Sequence, residues 1–358
     1  MYTLPASNIA CRAAAIAILG AALAASAYTP EPYAPQPVPL PAKDSPYLLP
    51  DGSIYLPGND LDRPFVDKFN EIFSRTHPGF RFTADYSGTG GWNAVSAGKA
   101  AIGPDAKAMT FHDQESFASR WGYPATEIQV GWDNNPSPDR LPPGKHPPGA
   151  WVNFRNPTPE VSLEQLNAIL TIGNPKGEIT HWSQIDYHDG PVGSHGGEWA
   201  FHAIHVYMAG IPLPVIASMH SAMGGLQWSP RIEYLPMMED VINAVANDLY
   251  GIGVTGWFPN DWGWDKEAEY KSKVRFLGLT DNSGRVSHGA IGDLSPLAGG
   301  MMLVVNRPPG KPLEPWIAEY LRLALSKDGQ DIVGSLVKSD GIIPLDPDQI
   351  PKELGKLK

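Results

Sequence analysis

Apolar residues recur at helical spacing in several separate stretches of the chain. Phe65, Phe69 and Phe73 lie four residues apart, so they share one face of a helix. Ser162, followed three residues later by Gln165, has the pattern of a capping box at the start of another helix. The helices predicted in this way cover 64–73, 162–170, 237–248 and 313–327. Each is expected to bury one face against a core.

Short apolar runs bounded by glycine, proline or aspartate predict the strands. These runs are 53–56, 80–86, 101–106, 128–132, 150–154, 250–257 and 301–306. In the first part of the chain, strand, loop and helix alternate twice. This order is typical of a parallel sheet whose loops gather at the carboxyl ends of the strands. The chain is therefore predicted to have an α/β fold.

The N-terminus has the pattern of a secretory signal peptide. One cation, Arg12, precedes the apolar run 13–24, and small residues at 25–27 predict cleavage near Ala27. The run is shorter than the roughly 20 residues that a spanning helix needs, so we predict no membrane span. Lipidation of Cys11 is the alternative, but the apolar run follows this cysteine instead of preceding it.

The cysteine count, net charge and proline content of the chain exclude some classes of site and partner. Cys11 is the single cysteine of 358 residues, so cleavage after Ala27 leaves neither a disulfide nor a thiolate metal site. The formal net charge of −11 argues against nucleic acid as a general partner. Residues 28–50 are rich in proline, which predicts an extended polyproline-type linker outside the folded core.

The stretch 82–95 combines a predicted strand, a glycine-rich turn and a predicted helix. Glycine allows the backbone to approach a ligand closely, and the first amides of a helix lack internal partners and attract anions. Ser87 and Thr89 add hydroxyl donors to Gly88 and Gly90. An ordinary strand-to-helix turn is the alternative interpretation. The sequence thus predicts one possible anion site at this turn.

Several motifs occur in the order found in a known family. A helix at 163–170 is followed by Gly-Glu-Ile-Thr-His-Trp at 177–182, a glycine strand at 250–253 and a helix with a closing Pro-Leu segment at 324–345. With the loops at 53–60, 87–91 and 102–105, this order resembles that of the periplasmic phosphate-binding proteins of ABC transporters.

The resemblance implies a two-lobed periplasmic-binding-protein-like α/β fold, in which each lobe is a mostly parallel sheet flanked by helices and a two-strand hinge joins the lobes. The implied organisation is a signal peptide at 1–27, a proline-rich linker at 28–50, lobe 1 at 51–148, lobe 2 at 149–280, and a return to lobe 1 at 281–358. The three early loops are expected to contact an anion. The predicted ligand-binding residues are Gly58, Asn59, Ser87, Gly88, Thr89, Gly90, Asp105 and Lys107.

The second lobe departs from the family pattern. Phosphate-binding members carry an arginine followed shortly by a Ser-Gly-Thr turn, whereas the corresponding segment 202–214 has neither. Losing charge-assisted donors costs on the order of 1.5–3 kcal/mol each. In lobe 1, Asp105 is expected to accept a proton from hydrogen phosphate, or else to cap its loop. Lys107 is expected to supply part of the missing positive charge.

Other residues offer alternatives to an anion site. His202 and His205 would suit a metal on one helical turn, but the alternation of 202–206 predicts a strand, where they point to opposite faces. We therefore expect no metal and no cofactor. Trp257, Trp262 and Trp264 either line a cleft for a less polar ligand or anchor loops. Asn59 and Asp60 are expected to cap the following helix, or to lie beside a ligand.

The resemblance implies a monomeric periplasmic solute-binding protein that presents a phosphate-like oxyanion to an inner-membrane ABC permease. The chain lacks the motifs of serine hydrolases, zinc proteases and phosphate-loop enzymes, so no catalytic residue is predicted. One alternative is a relative that has lost the anion site and serves as a scaffold or as a sensor of another ligand. A hydrolase on the same fold is the remaining alternative.

Overall fold

The computed structural model describes residues 28–87, 90–134, 148–185, 201–210, 220, 226–255, 272–289 and 293–358. The described residues pack around two main hydrophobic cores. One core contains side chains from Tyr47 to Val130 and again from Met301 to Ile350, and the other contains side chains from Ala150 to Leu297. The predicted two-lobed α/β architecture is therefore confirmed. Among the described residues, no helix combines the length and apolar character needed to cross a membrane.

Lobe 1 is built from six strands and six helices among the described residues. Its strands are β1 (Ile54–Pro57), β2 (Phe82–Asp85), β3 (Ile102–Asp105), β4 (Thr126–Asp133), β12 (Gly299–Val305) and β13 (Ile342–Ile343). Its helices are α1 (Arg63–Thr76), α2 (Trp92–Ser96), α3 (Phe111–Trp121), α6 (Pro315–Leu325), α7 (Lys327–Gly334) and α8 (Ile350–Gly355). Phe65, Phe69 and Phe73 of α1 are fully buried, which confirms the predicted apolar face.

Lobe 2 has its own mixed sheet. Its strands are β5 (Gly149–Asn153), β6 (Glu160–Ser162), β7 (His205–Ala209), β8 (Ile232–Leu235), β9 (Gly251–Thr255), β10 (Val274–Thr280) and β11 (Val286–Ser287). Its helices are α4 (Leu163–Leu170) and α5 (Met238–Asn247), with a 3₁₀ turn at Trp182–Gln184. The Ser162 hydroxyl accepts from the Gln165 amide and the Gln165 side chain accepts from the Ser162 amide, so the predicted capping box is confirmed.

Strand direction differs from the prediction of mostly parallel sheets. In lobe 1, β1 and β2 are parallel, but all pairings of the four-stranded sheet β13-β4-β12-β3 are antiparallel. In lobe 2, β7 is parallel to β8 and β9, whereas β5 is antiparallel to β9 and β10. The prediction is wrong for the four-stranded sheet because β4 leaves lobe 1 and β12 re-enters it, so these neighbours run in opposite directions.

The two connections between the lobes lie side by side. Asp133 at the end of β4 is opposite Gly299 at the start of β12. Next to this pair, the buried Asn134 side chain donates to the Asp293 carbonyl (2.9 Å) and accepts from the Ser295 amide (2.8 Å). Strand β11 and Leu297 belong to lobe 2 by their contacts, so the chain re-enters lobe 1 near Gly299 instead of near residue 281. Residues 135–147, a predicted lobe boundary or lid, lie outside the described residues.

The proline-rich segment 28–50 packs along lobe 1, and we call it the strap. The Lys327 amide donates to the Glu31 carbonyl (2.8 Å), and the Gln36 amide donates to Glu319 Oε1 (2.9 Å). Tyr47 is buried in the lobe 1 core. The expectation that this segment lies outside the folded core is therefore wrong. Its extended backbone leaves amides and carbonyls unpaired within the segment, and lobe 1 supplies the partners.

Candidate functional site

Three loops of lobe 1 meet at the ends of β1, β2 and β3, and we call this place the loop junction. The Gly91 amide donates to the Pro104 carbonyl (2.7 Å). A methyl group added at Gly91 would lie 2.4 Å from the Pro57 carbonyl oxygen and 2.5 Å from the Cα of Gly103. Backbones this close leave no room for a side chain, so the glycines are a steric requirement of the junction. The structure thus brings Gly58, Gly90 and Asp105 together at the junction.

Asp105 is the end of β3 and lies under Gly90. Its side chain is 1% exposed, and neither oxygen makes a hydrogen bond among the described residues. Burial raises the pKa of Asp105 to about 7, although the Lys107 ammonium and amide groups offset part of this increase. A Cβ at Gly90 would lie 2.3 Å from Asp105 Oδ2. Asp105 is thus a buried carboxyl group whose two oxygens lack a hydrogen-bond partner of normal geometry among the described residues.

Asp62 is a second buried carboxyl group at the loop junction, and the sequence analysis did not identify it. It is fully buried. Its Oδ2 accepts from the Asn59 amide (3.0 Å), while Oδ1 has no partner among the described residues. Burial raises the pKa of Asp62 well above its usual range, and the negative charges of Asp105, Asp133 and Asp60 raise it further. Acidic residues are common at the start of helices, so the sequence does not mark Asp62 as unusual. Only the burial of Asp62 distinguishes it from such residues.

Two of the predicted donors are engaged with neighbouring residues. The Ser87 hydroxyl donates to Asp85 Oδ1 (2.6 Å), and its amide donates to the same oxygen (3.0 Å). The Asn59 side chain accepts from the Leu61 amide (2.8 Å), so it forms a local turn. The expectation that Asn59 or Asp60 caps α1 is wrong, because the N-cap residue is Asp62, whose side chain makes no cap hydrogen bond. Gly88 and Thr89 lie outside the described residues.

Lys107 lies near Asp105 but is paired with another acid. Its Nζ is 3.2 Å from Asp113 Oδ2, and both side chains are mostly buried. Asp113 also accepts from the Thr110 amide at the start of α3, while the Thr110 hydroxyl accepts from the Asp113 amide. The capping box of α3 therefore fixes the position of the lysine. Its charge reaches Asp105 through space, without a direct ion pair among the described contacts.

The helix that follows the glycine turn is short. Helix α2 comprises five residues, and the Gly91 amide already donates to Pro104 within the junction. The start of this helix attracts an anion only weakly, since a single turn has little aligned dipole. The buried carboxyl groups, and not helix amides, dominate the polar character of the loop junction.

The histidines of lobe 2 have local partners. His205 begins β7, and its Nδ1 lies 2.6 Å from Asp248 Oδ2, which also accepts from the Tyr207 hydroxyl (2.8 Å). The His202 ring stacks on Tyr250 with centroids 3.7 Å apart. Among the described residues, no cluster of three or more histidine, cysteine or acidic side chains is placed to hold a metal ion. His188, His195 and the tryptophans between 257 and 264 lie outside the described residues.

The lobe 2 segment expected to carry the family's arginine is partly described. Residues 205–209 form β7 in the middle of the sheet, and 202–210 contain neither arginine nor lysine. The remaining positions 211–214 are outside the described residues, and their sequence is also without a cation. This segment therefore brings neither arginine nor lysine to the anion site that the resemblance implies.

Comparison with known proteins supports the family resemblance. No model of a known protein family matches the chain. The phosphate-binding protein PstS of Pseudomonas aeruginosa is 24% identical over 318 residues, which cover 85% of this chain and 87% of the relative. Solved structures similar to this chain include an ABC-type phosphate transport receptor from Vibrio cholerae, with 15% identity, 82% and 100% coverage and a TM-score of 0.44. Another is PstS from Borrelia burgdorferi, with 16% identity, 81% and 97% coverage and a TM-score of 0.45.

The likeness to PstS spans most of both chains, so it is not confined to one motif. The resemblance to the periplasmic phosphate-binding proteins is thus confirmed.

Proposed function

We propose that this protein is an extracytoplasmic solute-binding protein that captures phosphate or a related oxyanion between its two lobes for an ABC transporter. The observation that carries the proposal is the full-length similarity to a phosphate-binding protein, at 24% identity over 85% of the chain. The loop junction supports it, because Asp105 is a buried hydrogen-bonding group whose oxygens have no partner among the described residues. The protein would act by binding and release, without a catalytic residue.

Asp105 would select the ligand by its protonation state. As a carboxylate it accepts hydrogen bonds only, so it favours an oxyanion that carries a proton, such as hydrogen phosphate. A fully ionised oxyanion such as sulfate would place two unprotonated oxygens face to face, which is repulsive. Lys107 would moderate the negative charge of the junction from its position against Asp113. Backbone groups near Gly58 and Gly90 would approach the ligand closely, as glycine permits.

Closure of the lobes would complete the site. The paired connections at Asp133 and Gly299, fixed by the Asn134–Ser295 hydrogen bond, are suited to a hinge about which lobe 2 closes on lobe 1. A signal peptide at 1–27 would deliver the protein to the periplasm, where it would meet its permease as a monomer. Closing over the ligand would exclude water and strengthen the hydrogen bonds to it.

Calorimetric titration of the protein lacking 1–27 with phosphate, sulfate, molybdate and a phosphonate tests this proposal. We expect phosphate to bind and sulfate to fail. Asp105→Ala should weaken phosphate binding by roughly 10- to 150-fold, the loss of one hydrogen bond to a charged group. Lys107→Ala should weaken it in the same direction, and the exposed Asp60→Asn is the matched control. Unchanged affinity in Asp105→Ala would refute the assigned role.

A second candidate function is the transport or sensing of a less polar ligand. In this case the protein has kept the fold of the phosphate-binding proteins but has lost oxyanion binding. The observation in its favour is the absence of arginine and lysine from 202–214, combined with two buried acids at the loop junction. The same titrations decide between the two, because no heat with any oxyanion would support the second candidate. Hydrolysis of a phosphate ester by the protein would instead revive the hydrolase alternative.

A further inference from the structure

Asp62 and Asp105 form a pair of buried carboxyl groups at one junction, yet they differ in their contacts. Among the described residues, neither oxygen of Asp105 has a partner, whereas Asp62 has one oxygen held by the Asn59 amide at 3.0 Å and one oxygen, Oδ1, without a partner. A Cβ at Gly58 would lie 2.9 Å from Asp62 Oδ2 and 3.4 Å from the Pro104 side chain. Asp62 therefore lies against the strand that ends in Asp105.

The surroundings of Asp62 oppose a negative charge there. Among the described residues, the ionisable groups that interact with Asp62 are Asp60 in its own loop, Asp105 at the end of β3, Asp133 at the end of β4, and Tyr86 after β2. All of them are acids. The neighbouring Arg63 guanidinium lies over the ring of Tyr86, 5.1 Å from its centroid, and makes no ion pair with Asp62 among the described contacts. A fully buried carboxylate without a cation is costly, so two charged carboxylates at this junction are strongly disfavoured.

The dipole of helix α1 stabilises a charge on Asp62 too weakly to offset the cost of burying that charge. Asp62 occupies the N-cap position, where the helix dipole favours an anion modestly. Its side chain makes no hydrogen bond to the amides of α1, and Pro64 removes one of those amides. The penalty for burying an unpaired charge exceeds a dipole interaction of this kind several-fold. Asp62 is therefore the member of the pair that keeps its proton.

The contacts of Asp62 identify the oxygen that holds this proton. Because Oδ2 accepts from the Asn59 amide, it acts as the carbonyl oxygen of the acid, and Oδ1 carries the hydrogen. A buried O–H group that has no acceptor among the described residues is able to donate a hydrogen bond to a ligand. An oxyanion at the loop junction would be that ligand.

We propose that Asp62 donates an Oδ1–H hydrogen bond to the bound oxyanion while Asp105 accepts one from it. This inference rests on the proposed function and specifies its ligand. The site has one acid that gives a hydrogen bond and one carboxylate that receives one, so it fits an oxyanion with both a protonated and an unprotonated oxygen. Hydrogen phosphate has both. The acid thereby supplies a donor to an anion without adding a charge to the lobe.

Calorimetric titration with inorganic phosphate near neutral pH, in buffers otherwise free of phosphate and sulfate, tests the role of Asp62. Asp62→Asn keeps the shape, the acceptor for Asn59 and a donor in place of Oδ1–H, so its affinity should stay within about threefold of wild type. Asp62→Ala removes the donor and should bind roughly tenfold more weakly or worse. Asp60→Asn removes a nearby exposed charge and serves as the control.

Other results would overturn the inference in distinct ways. An Asp62→Asn variant that binds more than tenfold tighter would show that wild-type Asp62 is charged, and one that binds more than tenfold weaker would show that it accepts from the ligand. Equal affinity of wild type, Asp62→Asn and Asp62→Ala would show that it does not touch the ligand. Absence of phosphate binding in wild type would refute the proposed function instead, before any variant is compared.

A second measurement does not depend on the stability of Asp62→Ala. In protein labelled with ¹³C at aspartate carboxyl carbons, the resonance missing from Asp62→Asn identifies Asp62. Its resonance frequency should be that of a protonated acid at neutral pH, with and without phosphate. The frequency of an ionised carboxylate in the loaded protein would overturn the inference.

Discussion

Replacing Asp105 by asparagine should change how the stability of the ligand-free protein depends on pH. Burial raises the pKa of Asp105 from 3.8 to about 7, and the side chain is nearly inaccessible to solvent. A tenfold change in proton affinity corresponds to about 1.4 kcal/mol, so this rise in pKa amounts to about 4 kcal/mol. This value already includes the opposing effect of the Lys107 ammonium and amide groups.

The sign of the pH dependence follows from which state, folded or unfolded, binds the Asp105 proton more tightly. The folded protein binds the Asp105 proton more strongly than the unfolded chain, so raising the pH from about 4 to about 7 favours unfolding. Below this window both states are protonated and the penalty is absent. Above it the full penalty remains. Asp105→Asn cannot ionise and should not lose this stability.

Urea unfolding followed by circular dichroism, at several pH values from about 4 to about 8, measures the effect. The free energy of unfolding of Asp105→Asn minus that of wild type should grow by about 4 kcal/mol across the window. Other titrating groups cancel in this difference, and Asp60→Asn shows what an exposed acid contributes. A difference that does not change with pH would refute the reasoning, because Asp105 would then titrate alike in both states.

Two further substitutions test steric and hydrogen-bonding features of lobe 1. Gly90→Ala should cost about 2–4 kcal/mol in urea unfolding, because its φ is +150° and its Cβ would lie 2.3 Å from Asp105 Oδ2. Gly122→Ala, with φ +82° and no atom within 4 Å, should cost only about 1 kcal/mol, and equal costs would contradict the contact. Tyr47→Phe should cost about 1–3 kcal/mol by removing the 2.5 Å hydrogen bond to Glu314, and an unchanged melting temperature would exclude that contribution.

Local patterns predicted the elements whose partners lie nearby in the chain. The apolar spacing of Phe65, Phe69 and Phe73 and the capping box of Ser162 and Gln165 each involve residues within one helix. Such signals depend on short-range geometry alone, so the helices could be placed without knowing the tertiary structure.

Local patterns could not predict which distant segments of the chain pair with each other. Strand β4 pairs with β12 about 170 residues later, and an apolar run shows that a strand is buried without showing its neighbour or its direction. The prolines of the strap predicted an extended backbone, but they carried no information on whether Tyr47 would pack against lobe 1. In both cases the structure depends on a contact with a segment that is distant in the sequence.

The candidate site was partly predictable for the same reason. Glycines at 88–91 and the acid at 105 marked two of the converging loops, since close backbone approach selects for glycine. Asp62 was missed because an acid before a helix is usually a solvent-exposed cap. Its unusual property is complete burial beside Asp105, which depends on three loops that come from different parts of the chain.

The strap makes the N-terminal part of the described chain a fixed reference point for measuring distances. Its amide and carbonyl contacts at Glu31 and Gln36 are all to lobe 1, so a probe on the exposed Lys43 would report the position of that lobe. Because residues 28–358 contain no cysteine, cysteines introduced at Lys43 and at the exposed Lys176 of lobe 2 would be the sole labelling sites. Spin or dye pairs at these positions would report the proposed closure of the lobes as a change in a single inter-probe distance.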